Sequence, residues 1–211
     1  MIVTDALLVR LATVAGDASS MSRVVDGMTN QMPRYIKDAV VSGRLVHAAR
    51  EGHAYWYLQF AEPMLLNADE VAELQAAIMG QHPEAINVRV SRLQKVFDAV
   101  GASAGQAPDF HYVVEMDPEE GWMPELSDWY DTEHMPGLAA VPGCIHAARY
   151  LNHDHGPLSL ACYDLVTEDT KGSPPWMAMT HSEWSSRMRP HFTNTIRTMF
   201  QVVPITSKRS E

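Results

Sequence analysis

One four-residue run, His-Ala-Ala-Arg, occurs twice in this chain, at 47–50 and 146–149, and its surroundings repeat with it. A Met-Pro pair precedes each copy, Met32-Pro33 and Met135-Pro136, with four more residues between Pro and His in the first copy. An apolar stretch follows each, AYWYLQF and PLSLACYDL. Next come a helix-like segment and a strand carrying Val96-Phe97 or Met199-Phe200. The offset is 99 residues at the tetrapeptide and 103 at the phenylalanines. Self-similarity at this period means that one supersecondary unit has been used twice.

Each half reads strand, helix, strand, strand, helix, strand. In the first, residues 5–14 alternate as a strand, and Met21, Val24, Val25, Met28 and Met32 give 18–40 helical spacing. Strands at 43–50 and 53–61 flank Glu51-Gly52 as a hairpin. An amphipathic helix over 68–79 opens at Asn67, and a strand over 87–99 closes the half. The second half repeats this, with strands at 110–117, 144–151, 158–166 and 195–203 and helices at 124–135 and 175–188. Pro124 sits at a tolerated first turn, while Pro136-Gly137 and Pro190 act as stops. This order is the split βαβ arrangement, a sheet with helices on one face only. The bare face needs a cover, and a second copy in the same chain supplies one. The expected organisation is therefore a first repeat over 1–100, a small-residue linker GASAGQAP over 101–108, a second repeat over 109–205 and a polar tail at 206–211.

Charge narrows the partners. Twenty-six acidic against sixteen basic side chains give a net charge of −10, with no basic stripe. Nucleic acid and anionic membrane are poor partners for such a surface. No run approaches the roughly 20 apolar residues needed to span a bilayer, and the opening MIVTDALLVRLATVAG lacks a basic leader. Two cysteines, Cys144 and Cys162, cannot make a disulfide framework and fit a reducing, cytoplasmic setting.

The stretch WYDTEHMPGLAAVPGCIHAARYL at 129–151 resembles the dimeric α+β barrel superfamily, in particular its EthD-like and related tandem branches. The matching residues are Glu133, His134 and Pro136, then Val141-Pro142-Gly143, then Arg149-Tyr150. WSSRMRPHF at 184–192 resembles the tail of such tandem proteins. The first half departs from the pattern, with Asn30-Gln31 in place of Glu133-His134 and no Val-Pro-Gly. The resemblance implies an α+β fold of tandem ferredoxin-like βαββαβ repeats forming an intramolecular dimeric α+β barrel, with a further homodimer left open. Members include cofactor-free monooxygenases, isomerases, cyclases, dehydratases and haem enzymes, so the fold does not choose a reaction.

His134 is the first candidate for chemistry. It falls in the last turn of the expected helix, where the macrodipole favours a cation, and Asp131 and Tyr130 share its face at three and four residues. Acid, phenol and imidazole together make a proton-transfer set. The alternative is a helix-end His that caps carbonyls and pairs with Asp131, and Glu133 reads as a solvated charge. Along 144–151, Cys144, His146, Ala148 and Tyr150 alternate with Ile145, Ala147 and Arg149, and either face could line a pocket. His146, Arg149, Tyr150 and Trp129 are therefore the substrate-binding candidates. Trp184, Arg187, Arg189 and His191 form a late aromatic and basic cluster that reads first as structural and second as an entry for an anion. His153-Asp154-His155 sits in a turn that needs these residue types, so no metal site is assigned.

The expected function is cofactor-independent proton transfer (isomerisation, dehydration or decarboxylation) on a small aromatic or polyketide-like molecule. It would bind between sheet and helices of the second half. Two other readings stand beside it: a non-catalytic ligand-binding or assembly module, and a haem-dependent oxidoreductase with His111, His146 or His191 as axial ligand.

Overall fold

The computed structural model describes residues 1–13, 18–81 and 85–204; the polar tail expected at 206–211 lies outside them. The first half runs β1 (Ile2–Thr13), α1 (Ala18–Gln31), α2 (Arg34–Ala39), β2 (Val40–Ala48), β3 (His53–Leu66), α3 (Ala68–Gln81) and β4 (Ala85–Val100). The second runs β5 (Phe110–Pro118), α4 (Met123–Trp129), a π-helical turn (Tyr130–His134), α5 (Met135–Ala139), β6 (Cys144–Asn152) and β7 (Ser159–Leu165). A 3-10 turn (Glu168–Gly172), α6 (Pro174–Thr180), α7 (Glu183–Met188), a second 3-10 turn (Arg189–His191) and β8 (Phe192–Val203) complete it. The βαββαβ order is thus present twice, and each tetrapeptide copy falls at the second strand of its half. Among the described residues no helix is long and apolar enough to cross a membrane.

Several helices break where one was expected. Residues 18–40 form α1 and α2 with Pro33 between them, because proline lacks an N–H and holds its predecessor out of the helical region. The helix expected at 175–188 is α6 and α7, parted at His181-Ser182. Ser182 caps α7, its hydroxyl accepting from the Ser185 amide at 3.0 Å. Asn67 and Glu70 close a reciprocal capping box on α3, at 2.9 and 2.8 Å.

The described residues form two compact units. One holds Met1–Gln94, His153–His155 and the chain from Phe200 onward; the other holds Lys95–Asn152 and Gly156–Met199. The units therefore do not follow the repeat boundary: the last residues of β4 belong with the second unit and the end of β8 with the first.

In the first unit β3 pairs antiparallel with β1 and β2, β1 pairs with β4, and Leu45–His47 of β2 pair with Gln201–Val203. Leu7, Val9 and Leu11 point to one side of β1 and meet Val25 and Met28 of α1 and Leu74 and Ile78 of α3 in one core. Ala6 and Leu8, of opposite parity, are equally buried, so β1 is shielded on both faces. Arg92 is nearly inaccessible in this unit. Asp154 answers it twice, and the Leu66 carbonyl accepts from Nη1 at 2.9 Å.

In the second unit β7 is flanked by β5 and β6, all antiparallel. Met116, Ala147 and Leu165 of the sheet pack against Leu126, Met135 and Leu138. The Val-Pro-Gly turn has a backbone reason. Val141 is buried, and Gly143 has φ +97°, a conformation that side chains other than glycine rarely adopt. Segment 101–108, expected as a flexible linker, is tied down: the Gly101, Ala102 and Ser103 amides donate to the carbonyls of Ile145, Ala139 and Cys144 at 2.8–2.9 Å. A Cβ on Gly101 would stand 2.3 Å from the Cys144 carbonyl oxygen. Backbone cannot yield as a side-chain tip can. Gly101→Ala is therefore expected to destabilise by about 2 kcal/mol, seen as a lower urea midpoint at unchanged slope.

Candidate functional site

Pro136 shapes the site before any chemistry is considered. It has no N–H, and its ring crowds the carbonyl four residues back. The helix does not stop there, as was expected, but widens. The Met135 amide donates to Tyr130, five residues back, through the π turn, and the helix then continues as α5 to Ala139. Such turns bring i and i+5 onto one face and recur at functional sites. Here they stack Trp129 on His134 with ring centroids 4.1 Å apart and place Tyr130 edge-on to the same imidazole at 5.6 Å.

These rings border a cavity of about 400 Å³ between the helices and the sheet of the second unit. Its walls are aromatic. Tyr112 on β5 lies opposite Tyr163 on β7, with rings 6.2 Å apart, and Trp176 of α6 meets both edge-on at 6.1 and 5.2 Å. Ser185 and Leu138 are buried lining residues, and Phe192 completes the wall. Exposed Lys171, His181, Arg189 and Arg197 stand at the mouth. Among the described residues no carboxylate lines the cavity.

The electrostatics correct the picture of His134 as a helix-end cation. Burial first, and the Arg189 guanidinium second, push its pKa down to about 3. The ring is neutral at physiological pH. Its Nδ1 is buried with no hydrogen-bond partner among the described residues. Burial raises the Tyr130 phenol well above its ordinary value, opposed in part by Arg149 and Arg197; burial also raises Tyr112 and Tyr163. All three remain phenols, and the Tyr163 hydroxyl donates to the Met135 sulfur at 3.0 Å.

Of the expected site residues, Trp129, Tyr130 and His134 come together at the cavity. Asp131 does not join them. It is largely exposed and accepts from Arg149 Nη2 at 3.1 Å. Arg149 is buried on the helix-facing side of β6, its guanidinium 5.1 Å from the centre of the Tyr130 ring, with Nε and Nη1 unpartnered among the described residues. It supports the cavity wall from outside. His146 and Tyr150 lie on the other face of β6. A bulge between Cys144 and His146 rephases the strand, so Cys144 and Ala147 share the core, and His146 is one-third exposed beside Asp98 at 3.2 Å. Neither lines the cavity. Glu133, expected to be solvated, accepts the Ser182 hydroxyl at 2.6 Å. Within the late cluster, Arg187 takes Glu125 at 2.8 Å and stacks over Trp184, and His191 stacks on Trp122 and pairs with Glu119. Only Arg189 of its basic members reaches the cavity, and it donates to the Thr180 carbonyl. Cys144 is buried and its thiol is pushed up to about 12 by that burial, so it is no nucleophile. Sequence reading missed Tyr112, Tyr163, Trp176, Lys171 and Arg197. For the two tyrosines, alternation on β5 and β7 was the available signal.

No family model matches the chain, and no curated protein matches its sequence. Solved structures match its fold. An anthrone oxidase-like protein aligns at TM-score 0.64 and 12% identity, covering 97% of this chain and 95% of its own. A provisionally described monooxygenase from Fusobacterium nucleatum aligns at 0.63 and 10%, covering 97% and 94%. A protein described provisionally as a chlorite dismutase aligns at 0.59 and 11%, covering 96% of each. The fold class is accordingly α+β with tandem ferredoxin-like repeats.

Proposed function

We propose, for a chain with the dimeric α+β barrel fold, that the second-unit cavity takes a small planar aromatic molecule bearing a keto or phenolic oxygen. We further propose that the chemistry is proton transfer on that molecule. The observation that carries this is the neutral His134, stacked on Trp129 in an aromatic cavity that no carboxylate among the described residues lines.

A base whose conjugate acid has a pKa of about 3 removes protons poorly, so within the expected proton-transfer set His134 serves as a hydrogen-bond donor. Orphaned buried N–H groups are rarer than orphaned acceptors. With Nδ1 buried and unpartnered, the favoured tautomer carries its proton on Nε2. That N–H donates to the ligand oxygen. When a C–H proton next to the carbonyl leaves to water at the open mouth, negative charge gathers on this oxygen, and a neutral imidazole donor stabilises it. Tyr130 and Trp129 hold the ring plane.

Haem chemistry has less support. His111 is buried against Asp164 at 2.7 Å, His146 faces Asp98, and His191 is held by Glu119 and Trp122. None of the three lines the cavity, so they do not fit an axial ligand there.

Anthrone, an enolisable tricyclic ketone, is the test ligand. It should quench tryptophan fluorescence on binding and exchange its methylene protons with deuterated solvent, followed by NMR. His134→Ala is expected to slow protein-dependent exchange by about 100-fold while binding persists. Unchanged exchange in the variant would remove His134 from the chemistry. Binding without any exchange would favour the non-catalytic ligand-binding module.

A further inference from the structure

Carboxylates outnumber cationic side chains in this chain, 26 to 16. Three arginines elsewhere have one beside them: buried Arg92 has Asp154, buried Arg149 has Asp131 and exposed Arg187 has Glu125. The three cations at the mouth of the aromatic cavity do not. Lys171 lies 4.8 Å over the Tyr112 ring, Arg189 meets a backbone carbonyl, and Arg197 stands on β8 above the same wall. Among the described residues none of the three has a carboxylate partner, and no carboxylate lines the cavity.

Three like charges around one opening repel each other, and that repulsion is relieved when an anion arrives. The aromatic walls select a flat body, and the cations select a charge at its edge. We infer that the ligand of this cavity is an aromatic acid: a fused planar ring system whose carboxylate is gripped at the mouth by Lys171, Arg189 and Arg197. The inference rests on the reading of the cavity as an aromatic-ligand site and adds the charge of that ligand. His134 and the cations then divide the work, one holding the reacting oxygen in the interior and the others anchoring the acid outside it.

Two probes of matched shape separate the claims: anthracene-9-carboxylate and the neutral 9-anthracenemethanol, each titrated by its own fluorescence at 20 mM and 500 mM salt. The carboxylate is expected to bind at least about tenfold tighter at low salt, as one charged hydrogen bond supplies, and the gap should narrow at high salt. Arg197→Gln and Lys171→Gln, both on exposed side chains, should each cut the carboxylate-to-alcohol preference several-fold, with thermal melts confirming that the variants fold. Equal binding of the two probes would leave the aromatic cavity standing and overturn the acid. A carboxylate preference untouched by Arg197→Gln, Lys171→Gln and Arg189→Gln would place the anion elsewhere and overturn it too. Failure of both probes would overturn the cavity reading and this inference together.

Discussion

Asp154→Ala is expected to lower stability by about 3 kcal/mol, the loss typical of removing one partner from a buried ion pair. The Asp154 carboxylate accepts from the Arg92 backbone amide at 2.7 Å, from its Nε at 3.0 Å and from Nη2 at 2.8 Å. Both side chains are nearly enclosed, at 6% and 12% exposure. Without Asp154 the guanidinium keeps, among the described residues, only the Leu66 carbonyl. An unpaired buried charge costs more than the intact pair contributes. Arg92→Met combined with Asp154→Ala should therefore recover part of the loss. Burial alone would raise the Asp154 pKa, but the hydrogen bonds and charge of Arg92 outweigh it and hold the group below its ordinary value. Its contribution is thus fully present above about pH 4 and is lost as pH falls through the folded pKa. Urea denaturation of the single and double variants at pH 7 measures the effect. A loss under 1 kcal/mol for the single variant would show that water solvates Arg92 after all.

Particular residues show what could be read from sequence. The repeat was legible because each half must place the same apolar strands and helices in the same order, and the tetrapeptide marks the second strand both times. Helix continuity was not legible. Pro33 breaks a helix and Pro136 only widens one, since the outcome depends on whether packing rewards continuation. Buried Met135, Leu138 and Ala139 provide that reward for α5. Strand faces failed at one place for a related reason. A single bulge at Cys144–His146 reverses parity, and nothing in Cys-Ile-His announces it. His134 was found as a candidate from its motif, but its protonation state depends on Trp129 and Arg189, one five residues earlier and one 55 later in the chain. The mouth cations come from the 168–172 turn, the 189–191 turn and β8, and only tertiary structure makes them neighbours.

A second large effect follows from His134 itself and falls in a different pH window. In the folded chain this imidazole takes a proton only near pH 3, against an ordinary value of 6.5. Between those values the unfolded state holds the proton and the folded state does not. Stability therefore falls as pH drops from about 6.5 toward 3, by up to about 1.4 kcal/mol per pH unit from this one group. His47, His153 and His155 are also lowered, each chiefly by burial, and add to the same slope. His134→Gln, which fills similar space and cannot titrate, should reduce proton uptake on unfolding at pH 5 by about one proton. The shallower slope that remains would come from the other histidines. Acid loss through Asp154 begins lower, near pH 4, so the two variants should alter separate stretches of one stability curve. Equal proton uptake by wild type and His134→Gln at pH 5 would mean that His134 charges freely in the folded protein. The neutral Nε2 donor on which the proposed chemistry depends would then be gone.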